Sequence, residues 1–196
     1  MEESIYGINR MQEIIGGLKD FARADKNNTE EIDISSLIHS TLNMVRNELR
    51  YHCQVHQELH EVPPVIGCRG KISQVFVNML INASQAIKEQ GDIYIRTYSE
   101  ENRVVIEIQD TGCGIPQEHQ EHLFTPFFTT KPLGKGTGLG LSISHGIVKD
   151  HGGTIGVEST VGEGTTFIIK LPADHREPDS GTPEPNYSET DVNQDS

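Results

Sequence analysis

Gly134-Lys135-Gly136-Thr137-Gly138-Leu139-Gly140-Leu141-Ser142 places four glycines at alternate positions and then runs straight into an apolar-periodic stretch. Leu141, Ile143, Ile147 and Val148 fall on one helical face and Gly152-Gly153 supplies a stop, so the glycine run reads as a loop that opens a helix. Free backbone N–H groups, a helix N-terminus, Thr137 and the cations Lys131 and Lys135 form what a polyphosphate needs. Two familiar phosphate loops are excluded. No G-x-x-x-x-G-K-[ST] is present, and the dinucleotide pattern G-x-G-x-x-G fails because Leu139 or Leu141 stands at its third glycine position.

Upstream lies Phe124-Thr125-Pro126-Phe127-Phe128-Thr129-Thr130-Lys131, after a short helical stretch near 117–123. Before it, Asp110-Thr111-Gly112-Cys113-Gly114-Ile115-Pro116 ends a strand on a carboxylate beside two glycines, where the backbone turns tightly and a flat ligand has room to approach. Turn chemistry alone also accounts for Asp-Thr-Gly. Val104, Ile106 and Ile108 alternate in that strand, as do Ile93, Ile95 and Thr97 before the polar Glu100-Glu101-Asn102, which predicts a β-hairpin.

A helix is expected over 71–87, with Ile72, Val75, Phe76, Met79, Leu80, Ala83, Ala86 and Ile87 as its apolar stripe. Lys71, Gln74, Asn78, Asn82 and Gln85 occupy the other arc. Asn78 and Asn82, one turn apart, point two amides from one face. Asparagine is a poor helix former, so the pair signals either a requirement beyond helicity or a solvated face.

Leu37, Ile38, Thr41, Leu42, Val45 and Leu49 predict an earlier helix N-capped by Ser35 or Ser36. Cys53, Val55, Gln57 and Leu59 predict a strand closed by Pro63-Pro64. At the N-terminus, Ile8, Met11, Ile15, Leu18 and Ala22 keep the spacing of a coiled-coil seam or of a plain surface helix, weakened by Gly16-Gly17. Ile155 and Val157, then Phe167, Ile169 and Leu171 beyond Gly162-Glu163-Gly164, predict a final hairpin. The last segment, 174–196, carries seven acids against one arginine and almost nothing apolar, the composition of a disordered tail.

The chain of 196 residues has room for one core, and no run is long and apolar enough to span a membrane. Its formal charge of −13 opposes nucleic-acid backbones and anionic membrane surfaces. Cys53, Cys68 and Cys113 form no Cys-x-x-Cys pair and no signal-peptide pattern opens the chain, which points away from disulfides and zinc and toward a cytoplasmic location. His52, His56 and His60 share a helical spacing, but the alternation around Val55 argues for a strand that scatters them. His119 and His122, with Glu118 and Glu121, read as a solvated helix face.

The asparagine helix 74–83, the Asp110–Ile115 turn, the Thr125–Lys131 segment and the Gly136–Leu141 loop stand in the order seen in bacterial sensor histidine kinases. From about 34 to 172 the chain resembles their catalytic ATP-binding domain, of the GHKL or Bergerat superfamily. The resemblance implies an α+β two-layer sandwich: a mixed, mainly antiparallel sheet packed on three helices and preceded by one coiled-coil-like helix. It divides the chain into the second helix of a dimerisation and phosphoacceptor hairpin (1–26), a linker (27–33), the catalytic domain (34–173) and the tail (174–196).

It further implies that ATP and Mg²⁺ bind under a mobile lid running from Phe127-Phe128 to Gly140. Asn82 would coordinate the metal with Asn78 beside it, and Asp110 would accept from the adenine amino group while Gly112 and Gly114 let the ring approach. Gln85, Ile115, Phe128, Thr130, Lys131, Gly134, Lys135, Gly136, Thr137, Gly138, Leu139, Gly140 and Leu141 would complete the nucleotide site, with Thr166 near the base edge. Asn78, Asn82 and Lys131 would carry the catalytic work, since phosphoryl transfer depends on positioning and charge neutralisation.

The family's phosphoacceptor histidine, followed at once by an acid, sits in a first hairpin helix, and no such helix precedes residues 5–21 here. His39 lies in the wrong helix. The implied activity is therefore transfer of the γ-phosphoryl of MgATP to a phosphoacceptor hairpin of a longer parent kinase, for relay to a response regulator receiver domain, without nucleic-acid or direct membrane contact. Two alternatives stand beside it. One is a non-catalytic nucleotide-binding or docking module. The other is an ATPase of the superfamily, disfavoured because Asn78 stands where those proteins resemble one another in a water-activating glutamate.

Overall fold

The computed structural model describes residues 29–132 and 136–174. The seam helix expected over 1–26, the tail beyond Asp174, and Gly134 and Lys135 of the glycine run lie outside the described residues. In chain order the elements are β1 (Glu30–Ile32), α1 (Ile34–Leu49), β2 (Cys53–Leu59), β3 (Val65–Gly67), α2 (Arg69–Ala86), β4 (Gly91–Glu100), β5 (Arg103–Asp110), α3 (Gln117–Gln120), α4 (Gly140–Asp150), β6 (Thr154–Thr160) and β7 (Gly164–Pro172).

Five strands form one sheet in the order β2-β4-β5-β7-β6, with β2 parallel to β4 and every other pair antiparallel. The two hairpins expected from alternation are both present. Val104, Ile106, Ile108 and Asp110 share the buried face of β5, opposite Ile95 and Ile93 of β4 and Phe167 and Thr165 of β7. Against this face lie the apolar stripe of α2 and the buried residues of α1 and α4, so α2, flanked by the other two helices, runs through the middle of the core. The mixed sheet with helices packed on one face is the expected two-layer architecture.

Three details depart from the sequence reading. Helix α1 begins at Ile34, and its cap is Asp33, whose carboxylate accepts from the Ser36 N–H at 3.0 Å; Ser35 and Ser36 lie inside the first turn. Glu30–Ile32, expected as linker, pairs antiparallel with β3 and buries Ile32 completely. Strands this short carry too few alternations to register as a pattern. The third concerns the start of α2, where Cys68 has no side-chain cap. Its N–H donates instead to His151 Nε2 at 3.0 Å, which fixes the tautomer so that Nδ1 donates to the Ile147 carbonyl at 2.7 Å. One imidazole thus joins the end of α4 to the beginning of α2.

Candidate nucleotide-binding site

Helical periodicity puts the polar arc of α2 beside α4 and the segment leading to the glycine loop. Asn78 Nδ2 donates to the Gly140 carbonyl at 3.1 Å and to Ser144 Oγ at 3.0 Å. One turn on, Asn82 Oδ1 accepts from Lys131 Nζ at 3.0 Å, and Gln85 Oε1 accepts from the same ammonium. Burial pushes the Lys131 pKa below its ordinary value. Asn82 and Gln85 therefore present two side-chain oxygens to one cation. Oxygen donors of this kind suit Mg²⁺, a hard ion that takes a few protein oxygens together with substrate phosphates. The residues fit the metal that the resemblance implies.

Asp110 lies at the end of the buried row of β5, almost fully enclosed at 3% exposure. Gly112 N–H donates to its Oδ1 at 2.8 Å, and the Thr165 backbone also stabilises the carboxylate. Burial outweighs both and raises the pKa from 3.8 to about 6. A carboxylate offers about four lone-pair sites, so two backbone donors leave acceptor capacity for a ligand amine. Gly112 sits hard against this wall: a β-carbon there would lie 2.6 Å from Ala86 Cβ and from Asp110 Oδ1. Cys113 N–H donates to the Ala86 carbonyl, which fastens the turn to the end of α2.

The segment before the loop is pinned at its base. Phe127 N–H donates to the Gly138 carbonyl at 2.9 Å, and Gly138 has φ +68° with the side where a β-carbon would stand closed by the Phe127 backbone. Phe127 adopts φ +68° as well and is 64% exposed. Phe128 is half-buried between His119 and His122, and Thr130 is exposed. Gly136 abuts Thr129 and Lys131, while Thr137 Oγ1 accepts from Leu139 N–H. No side chain caps α4, so its first N–H groups stay available beside Asn78. Leu141 packs against the core, and Ile115 N–H donates to Ser159 Oγ. Gly114 lies against Thr160 in the same turn region.

Thr166, expected near the base edge, lies one residue beyond the partner of Asp110 on β7. Its strand position faces Gln109, on the sheet surface away from the helices. Thr165, paired directly with Asp110 and 4% exposed, is the threonine beside the carboxylate. Thr165 shares the parity of Phe167, Ile169 and Leu171, so alternation in the sequence already carried this signal. Ser144, also missed, is fully buried on α4; a serine among apolar helical residues announces nothing by itself.

A mixed sheet under three long helices, with polar amides, a buried carboxylate and a glycine loop at one edge, is the design of an ATP-binding domain. Residues 67–175 match the family model described as Histidine kinase-, DNA gyrase B-, and HSP90-like ATPase. The chain belongs to that family, and within it to the catalytic ATP-binding domains of histidine kinases of the GHKL superfamily. It is 37% identical over 168 residues to the signal transduction histidine-protein kinase AtoS of Escherichia coli (strain K12), covering 84% of this chain and 27% of AtoS. The solved catalytic domain of histidine kinase ThkA, nucleotide-free, superposes with TM-score 0.68 at 34% identity, covering 74% of this chain and 96% of that one. ThkA solved in complex with the response regulator protein TrrA gives TM-score 0.69 at 29% identity, covering 85% of this chain and 49% of that chain. The chain thus spans about a quarter of the length of AtoS. No helix among the described residues is long and apolar enough to cross a membrane.

Proposed function

We propose that this chain is the catalytic part of a protein-histidine kinase, transferring the γ-phosphoryl of MgATP to a histidine on the phosphoacceptor hairpin of its parent kinase, for relay to a response regulator receiver domain. The observation that carries the reading is the convergence of Asn82, Gln85 and Lys131 on one charge-handling point. When bound, MgATP supplies the phosphoryl group and a cation that neutralises phosphate charge. Asn82 Oδ1 would hold the metal, with Gln85 beside it. Lys131, released from the amide oxygens, would place its ammonium against the phosphates, and the uncapped start of α4 would add backbone donors. Asp110 would select adenine by accepting from the exocyclic amine. A site of this composition binds, orients and neutralises, which is what phosphoryl transfer asks of a protein.

Hydrolysis is the poorer reading. Asn78 carries no carboxylate to activate water, and both donors of its amide are engaged by α4. The receiver-domain partner is supported by the likeness to ThkA, whose complex holds a response regulator. The site is tested by calorimetric titration with ATP, with and without Mg²⁺. Asn82→Ala is expected to weaken binding about tenfold or more in Mg²⁺ and to alter it little in chelator. A variant whose affinity still responds to Mg²⁺ as the parent does would remove Asn82 from the metal role. Equal wild-type affinities for ATP and GTP would remove Asp110 from adenine recognition.

A further inference from the structure

Ser144 is the buried polar group on α4 that nucleotide binding leaves unexplained. Its hydroxyl donates to the Gly140 carbonyl at 2.9 Å, which spends its only proton. Toward Asn78 it can then act only as an acceptor, and the Gly140 carbonyl is an acceptor by nature. Both groups facing Asn78 from α4 therefore demand a donor, so the amide must present Nδ2 to α4 and turn Oδ1 away. Among the described residues no group donates to that oxygen. The same three-way contact fastens the first turn of α4 to the middle of α2, one turn from Asn82.

We propose that Ser144 is a positioning residue for nucleotide binding: through Asn78 it sets the amide's orientation and locks the first turn of α4 against α2. This inference rests on the reading of the site as a nucleotide site. The uncapped N–H groups of Gly140, Leu141 and Ser142 are useful to a phosphate only if they are held still relative to Asn82, because donors ordered in advance cost nothing to arrange on binding. Ser144 reaches no ligand itself. It is completely buried, and its contact with the polar arc of α2 is the Asn78 amide.

The test is a double-mutant cycle on the full chain, read by calorimetric titration with MgATP and by amide hydrogen exchange in the nucleotide-free protein. Ser144→Ala is expected to weaken MgATP binding about fivefold, the size of one neutral hydrogen bond, and to speed exchange in the first turn of α4 while β5 and β7 keep their protection. In an Asn78→Ala background the same substitution is expected to change affinity less than about twofold, because its route is already cut. Unchanged affinity in the single variant would overturn the proposal. So would a loss of equal size in both backgrounds, or faster exchange spread evenly through the core, either of which would make Ser144 a packing residue only. Failure of the wild-type chain to bind MgATP would instead overturn the nucleotide reading beneath it.

Discussion

Asp110 is a carboxylate that burial makes costly to the fold. Its carboxylate ends a row of aliphatic side chains, and burial raises its pKa to about 6. A raised acid pKa means that the folded chain holds its proton longer than the unfolded chain. Stability is therefore greatest below about pH 4 for this group and declines as pH rises from 3.8 to about 6. The cost of ionising it in the fold is about 3 kcal/mol, from roughly 1.4 kcal/mol for each pH unit. Asp110→Asn is expected to stabilise the nucleotide-free protein by up to about that amount at pH 7, with the gain fading toward pH 4, as measured by urea unfolding. A gain independent of pH would mean that the carboxyl is not strained by burial. The same variant trades a charged acceptor for an amide and is expected to lose adenine selectivity.

Asp110 was legible in the sequence because it keeps the parity of Val104, Ile106 and Ile108. Thr165 is equally legible by parity, since it shares the register of Phe167, Ile169 and Leu171 and pairs with Asp110. Ser144, the His151 bridge and the Asp33 cap depend on side chains from distant or irregular segments meeting in space. Periodicity carries no such information.

At the scale of elements, the Phe127–Gly138 contact joins the segment before the glycine run to its described end, backbone to backbone, as one unit. A β-carbon at Gly138 would lie 2.4 Å from the Phe127 carbonyl carbon, and φ +68° adds about 1 kcal/mol or more for any L side chain. Gly138→Ala is expected to open the base of this unit, leave the unfolding midpoint of the core within a few degrees, and lower MgATP affinity severalfold, as read by calorimetry beside thermal unfolding. Full affinity in that variant would separate the loop closure from binding. Long elements were legible throughout: α1, α2, α4 and both hairpins each repeat their pattern several times. The small β1–β3 sheet was not, because three residues a strand set no period, and its pairing joins segments more than thirty residues apart.

At the scale of the molecule, a chain with net charge −13 binds a polyanion only by concentrating donors at one edge. On the proposed reading, Lys131, the start of α4 and the amides of α2 would supply those donors. The most direct test of the account is transfer of γ-labelled phosphate from MgATP, catalysed by this chain, to a separately made phosphoacceptor hairpin of the parent kinase. The account expects label on the hairpin that is acid-labile and base-stable, the signature of phosphohistidine, and its loss with Asn82→Ala. Tight MgATP binding by the wild-type chain without any label on a folded hairpin would contradict it.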